Sequence, residues 1–193
     1  MRRLALAAVL AVMGLAGTAA ADPWADPNGN LAFDAPRGWT VRPQQMTGGT
    51  AVLAFTPRSD CFFFGIPNSA SADASVSEAR HTTDPLPHSA WVAAVEGIAD
   101  FAGEGAPSVT SQNVDTSGFW PVQRAQLQWG SRTIHGVIEV RPGYELRGFC
   151  SGGDASFDAI LNSIGHPNDS TWQAQGGAAD QTPVADQTPA PAE

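Results

Sequence analysis

Glu78, His81, Asp84 and His88 are of the side-chain types that ligate zinc, and they fall within eleven residues of one another. Their spacing works against a site. Pro85 and Pro87 interrupt the stretch, so no continuous helix can present the four on one face, and no His-Glu-x-x-His arrangement is present. The expectation is a solvated loop leading into a helix. Acyl-transfer chemistry has no better footing, because there is no Gly-x-Ser-x-Gly elbow and Ser151 adjoins a cysteine expected to be bridged. His135 could serve as a base, yet alternation sets it on the opposite side of its strand from Ile134, Gly136, Ile138 and Val140, where a covering helix or solvent accounts for it. The loop Ser151-Gly152-Gly153 ahead of a helix could cradle an anion, but Asp154 at the cap would occupy the same donors and repel it. No catalytic residue, metal ligand set or cofactor motif emerges, and a non-enzymatic protein is expected.

Two cysteines, Cys61 and Cys150, complete the list of reactive side chains. Their value depends on compartment, which the first residues address. Arg2 and Arg3, an apolar run from Leu4 to Ala16 and the small residues Gly17-Thr18-Ala19-Ala20-Ala21 have the three-part form of a secretory signal over residues 1–21. The run is too short to span a bilayer, and no later segment approaches the required length of about 20 residues. A mature chain free in the periplasm or outside the cell is therefore expected. In that setting an even cysteine count favours a Cys61–Cys150 disulfide, which would close a loop of nearly ninety residues and contribute about 4–5 kcal/mol by the chain-entropy argument before native-state strain is subtracted.

Charge narrows the partners. Loss of Arg2 and Arg3 with the leader takes the formal charge from −9 to −11, and all ten basic residues of the 193 are arginine. Nucleic acid is disfavoured at that balance, because its binding draws on clustered Lys and Arg. At the other end, residues 173–193 are rich in Ala, Pro, Gln and Asp, repeat Ala-Asp-Gln-Thr-Pro at 179 and 185, and contain no apolar residue larger than Val184. A disordered acidic tail is expected there, since such a segment cannot bury enough surface to offset its ordering.

Between these ends, residues 22–172 provide one domain. The clearest pattern runs from Trp120 to Cys150. Ala125, Leu127 and Trp129 alternate with polar neighbours, Gly130-Ser131 turns the chain, Ile134, Gly136, Ile138 and Val140 alternate again, and Pro142-Gly143 turns it a second time into Tyr144–Cys150. Three consecutive antiparallel strands follow. Further strands are predicted at Leu31–Asp34, Trp39–Arg42, Ala51–Thr56 and Cys61–Ile66, with Val109–Thr116 as an edge. Helices are predicted at Ala90–Ala102, capped by Ser89 and stopped by Gly103, and at Ala155–Ile164, capped by Asp154 and stopped by Gly165. Each has one apolar face, so each should lie on a sheet.

The opening Phe33-Asp34-Ala35-Pro36-Arg37-Gly38-Trp39, the strands, helix and meander that follow, and the closing Phe157-Asp158-Ala159-Ile160-Leu161-Asn162-Ser163-Ile164 together resemble the PsbP/Mog1-like group of α/β/α sandwich domains, from about Leu31 to Ile164. The resemblance implies an α+β fold in which an antiparallel sheet is flanked by helices. Members of that group serve as accessory subunits, carrier-protein partners and envelope proteins, and they supply no shared catalytic residues to carry over.

Phe62, Phe63 and Phe64 are the last feature. Three in succession cannot share one face of a strand, so either both faces are covered or an aromatic patch is left for a ligand or partner, with Trp91 of the first helix beside it. Two functions are consistent with all of this: an accessory domain that binds another envelope protein, or a module that holds a small apolar or lipid-like ligand between sheet and helix.

Overall fold

The computed structural model describes residues 22–153 and 157–169. The expected leader at 1–21, the cap at Asp154 and the tail at 173–193 lie outside them. Among the described residues nine strands and three α-helices occur in the order β1 (Asp22–Ala25), β2 (Ala32–Ala35), β3 (Thr40–Gln44), β4 (Thr50–Thr56), β5 (Ser59–Pro67), α1 (Val76–Arg80), α2 (His88–Glu96), β6 (Ser108–Asp115), β7 (Val122–Trp129), β8 (Arg132–Arg141), β9 (Tyr144–Gly152) and α3 (Phe157–Asn162). Strands β3 to β9 form a seven-stranded antiparallel sheet in the order β3-β4-β5-β9-β8-β7-β6, and β1 and β2 form a separate two-stranded ribbon. An antiparallel sheet flanked by helices is the expected class, while its order, with β5 pairing with β9 at the centre and the strand expected at Leu31–Asp34 set apart in the ribbon, comes from the structure.

The meander β7-β8-β9 follows its sequence pattern. Gly130 (φ +56°) and Gly143 (φ +72°) occupy the left-handed region in the two turns, which a side chain would strain. β6 is an edge strand, as its polar sequence suggested, with a bulge between Val109 and Ser111. β3 is the opposite edge, and Pro43 within it lacks the N–H that a further strand would need.

The helices are shorter than the apolar periodicity suggested. α2 starts at His88 with Pro87 at its N-cap, so Ser89 lies inside the helix and caps nothing. It stops at Gly97, and Ala99–Phe101 follows as a separate 3-10 turn with Ile98 extended between them. This break brings Ile98 and Phe101 into the same core, where Phe101 meets the Phe62 ring edge-on at 5.2 Å. α3 ends at Asn162, because Gly165 leaves the helix to exchange two backbone hydrogen bonds of 2.9 Å with Ala32. The Ser163 hydroxyl meanwhile accepts from the Asp34 N–H at 2.8 Å. Sheet edges thereby compete with the helix for its last turn.

Two separate cores result, one on each face of the sheet. On one face the β1–β2 ribbon and α3 cover Val52, Ala54, Cys61, Phe63, Val137, Leu146 and Cys150, with Phe33 stacked on Phe63 at 4.2 Å. On the other, Trp91 and Val95 of α2, with Ile98 and Phe101, cover Phe62, Ala125, Leu127, Trp129, Ile134, Ile138 and Phe149. Two glycines set how closely the layers approach. A Cβ at Gly148 would stand 2.5 Å from Ile164 and 2.8 Å from Leu161, while one at Gly136 would stand 2.9 Å from the Phe149 ring and 3.0 Å from Trp91. The bare backbone at these two positions seats the helical layer on each side.

Cys61 and Cys150 lie opposite each other in the β5–β9 pair and form the disulfide, with Cα atoms 4.1 Å apart. The bridge ties together the two halves of the sheet at their seam. Behind α3, the chain is held by Arg141, which is buried and ion-paired to Asp169 at 2.7 Å and to Glu139, with Trp120 under its guanidinium at 5.5 Å.

Candidate functional site

The residues with catalytic or metal-binding side chains are dispersed or committed. Ser75 and Glu78 form a capping box at the start of α1, so the stretch expected to be loop is helical at its beginning. The two hydrogen bonds from Ser75 hold the Glu78 carboxyl below its ordinary pKa. His81 places Nδ1 2.6 Å from the Ser77 carbonyl, and Asp84 contributes its carbonyl to the Gln123 amide at 3.0 Å while Leu86 N–H donates to the same side chain at 3.1 Å. Among the described residues no three His, Cys, Asp or Glu side chains gather in a metal-binding group. The Gly153 N–H is directed to the Arg58 carbonyl at 3.3 Å. His135 stands beside Phe157 with ring centroids 5.5 Å apart, on the face covered by α3.

The aromatic triplet divides between the cores. Phe63 is fully buried on the α3 side, Phe62 is buried on the α2 side, and Phe64 is partly buried beside it. Trp91 is fully buried, with its ring edge-on to Phe149 at 6.3 Å. Trp91, Phe62 and Phe149 belong to one packed cluster at this point, with Phe64 against its margin.

Strand register shows where coverage ends. On the α2 side, one cross-strand row reads Arg42, Leu53, Phe62, Phe149, Gly136 and Ala125 from β3 to β7, and its neighbours begin Thr40, Phe55, Asp60 and Gln44, Ala51, Phe64, Arg147. The β8 and β7 ends of these rows lie in the core under α2. Toward β3 the coverage thins, and Leu53, Phe55 and Phe64 are only partly buried. Arg42, exposed on the edge strand, sets its guanidinium 5.4 Å from the Phe55 ring centroid. Arg147 stands next to Phe64 and pairs with Glu145, whose other oxygen accepts from the Asn68 amide at 3.1 Å. Asp60, next to Phe55, has its carboxyl pushed up by burial, with Arg132 opposing the shift and Asp100 adding to it. Met46, in the turn joining β3 to β4, is 40% exposed.

This half-face is therefore aromatic and aliphatic, partly desolvated and flanked by two arginines. Such a composition is typical of the centre of a protein interface, where aromatic residues, Met and Arg are enriched. Sequence reading reached Phe62 to Phe64 but not Arg42, Leu53, Phe55 or Arg147. Those four come from three strands and meet only through register.

The two-layered covering of an antiparallel sheet by a ribbon and short helices is a PsbP-like α+β sandwich. Among solved structures, the solution structure of cyanobacterial PsbP (CyanoP) from Synechocystis sp. PCC 6803 is similar over 81% of this chain and 98% of its own, with a TM-score of 0.52 and 12% identity. At that identity the likeness is one of fold. A Pseudomonas aeruginosa protein of unknown function aligns over 85% of this chain and 99% of its own at 12% identity, but its TM-score of 0.32 adds nothing to the argument. No family model and no curated protein matches the chain.

Proposed function

We propose that this chain is an exported, non-enzymatic accessory domain that binds another protein of the bacterial envelope, and that it does so through the aromatic and arginine half-face of β3, β4, β5 and β9. The single observation behind this reading is the one-sided coverage of the sheet: α2 packs on the β6–β9 part and leaves Leu53, Phe55 and Phe64 partly open between Arg42 and Arg147. Leu53 and Phe64 pack at the margin of the α2-side core, and a group of half-buried aromatic and aliphatic side chains beside arginines suits an interaction site. The disulfide supports export, because such bridges persist in oxidising compartments. The fold likeness to a cyanobacterial PsbP is compatible with an accessory role.

The test is a pull-down of the full chain from its native envelope, beside Phe55→Ser and Arg42→Glu. One dominant partner, recovered with the wild type and lost with either variant, is the expected result. Equal recovery with all three proteins, or no specific partner with the wild type, would overturn the assignment.

A further inference from the structure

The opposite face of the sheet has a second open region at the other end, and its chemistry is different. Where α3 stops short of the β6 edge, an open groove of about 220 Å³ runs between α3 and strands β6 to β8. Register places Ser111, Gln126 and His135 in one cross-strand row and Asn113 and Arg124 in the next, and Asp158 of α3 forms the wall. Three strands and two rows give a floor of about 10 Å by 7 Å.

Arg124 is committed, since it pairs with Asp115 at 3.4 Å and donates to the Asn162 side chain. The side chains of Ser111, Asn113, Gln126, His135 and Asp158 make no hydrogen bond or ion pair within the described residues, and only His135 has a ring neighbour. Five convergent polar side chains thus have no partner within the described protein and face the groove. The ionised groups facing the groove, Arg124 and Asp158, are opposite in sign, so neither an anion nor a cation meets a matching field. What the groove offers is an array of amide, hydroxyl and imidazole partners, each able to donate or accept.

We propose that this groove is a binding site for a neutral polyhydroxylated ligand, an oligosaccharide segment of one or two rings held by Ser111, Asn113, Gln126 and His135. A sugar hydroxyl donates and accepts at once, which suits side chains of the same dual character. No exposed aromatic ring floors the groove, so affinity rests on hydrogen bonds alone and is weak. The site is independent of the proposed protein-docking face, which lies on the other side of the sheet.

The experiment is a titration of the isotope-labelled full chain with maltotetraose and with tetra-N-acetylchitotetraose at millimolar concentrations, followed by amide chemical shifts. Saturable shifts concentrated at Ser111, Asn113, Gln126 and His135 with at least one sugar are expected, unchanged when salt is raised. An Asn113→Ala, Gln126→Ala double variant should bind about tenfold more weakly, with its remaining spectrum intact as evidence of folding. Absence of shifts with both sugars, shifts elsewhere that the double variant leaves unaltered, or binding that collapses in salt would overturn the proposal.

Discussion

The two halves of the sheet, joined at the β5–β9 pair, are covered in opposite senses. In the β3–β5 half, the α3 side is apolar and closed by the ribbon and Phe33, whereas the α2 side is aromatic and partly open. In the β6–β8 half, the α2 side is apolar and closed by Trp91 and Val95, whereas the α3 side is polar and open. The polar opening costs little in the free protein, because water can satisfy Gln126 and Asn113 when no ligand is bound. The aromatic opening costs more, since each exposed apolar Å² forgoes roughly 25 cal/mol of burial. That difference directs the docking assignment to the β3–β5 half.

Truncations on the two halves give the largest expected contrast. Trp91→Ala should cost about 3–5 kcal/mol in denaturant unfolding, against under about 1 kcal/mol for Phe55→Ala, which removes a partly solvated ring. Equal costs would mean that the α2 side is covered uniformly. The seam comes next: reduction of Cys61–Cys150, or Ser at both positions, should lower stability by about 2–4 kcal/mol and depress the melting temperature. An unchanged melting temperature would show that the halves hold together without it.

Gly136→Ala and Gly148→Ala test the closed faces. Each added Cβ meets side chains at 3.0 Å or less, and each should destabilise by about 1–3 kcal/mol, whereas Gln126→Ala on the open polar face should change little. Smaller again is the effect of Asp60→Asn. Burial raises the Asp60 pKa in the folded state, so the ionised carboxylate is disfavoured there at neutral pH, and the native protein regains that stability as pH falls through the raised value toward the unfolded one. Thermal midpoints should therefore favour the Asn variant at neutral pH, with the gap closing in acid. A gap that widens toward acid would contradict the sign of the shift.

Much of the fold was legible because its signals are local. Alternation from Val122 to Gly152 with Gly130 and Gly143 at the turns defines the meander, and its last strand carries Cys150 opposite Cys61 of β5. The short elements escaped for physical reasons. α1 buries only Ala79, so it has no apolar stripe, although Ser75 and Glu78 at capping-box spacing were readable. β1 contains Pro23 and is mostly exposed, so its pairing with β2 has no periodic signature. Gly97 inside the apparent helix Ala90–Ala102 was visible, but a single Gly is tolerated often enough in helices that only the packing of Ile98 and Phe101 decides for a break. The half-face around Phe55 was illegible in principle. Its members are brought together by strand order, which no spacing in the chain encodes.

Site-specific photocrosslinking in native cells tests the central claim most directly, with the reactive side chain placed at Phe55 in one full-length protein and at Gln126 in another. The account predicts a discrete crosslinked protein species from Phe55 and none from Gln126. The same species from both positions, or from Gln126 alone, would contradict it.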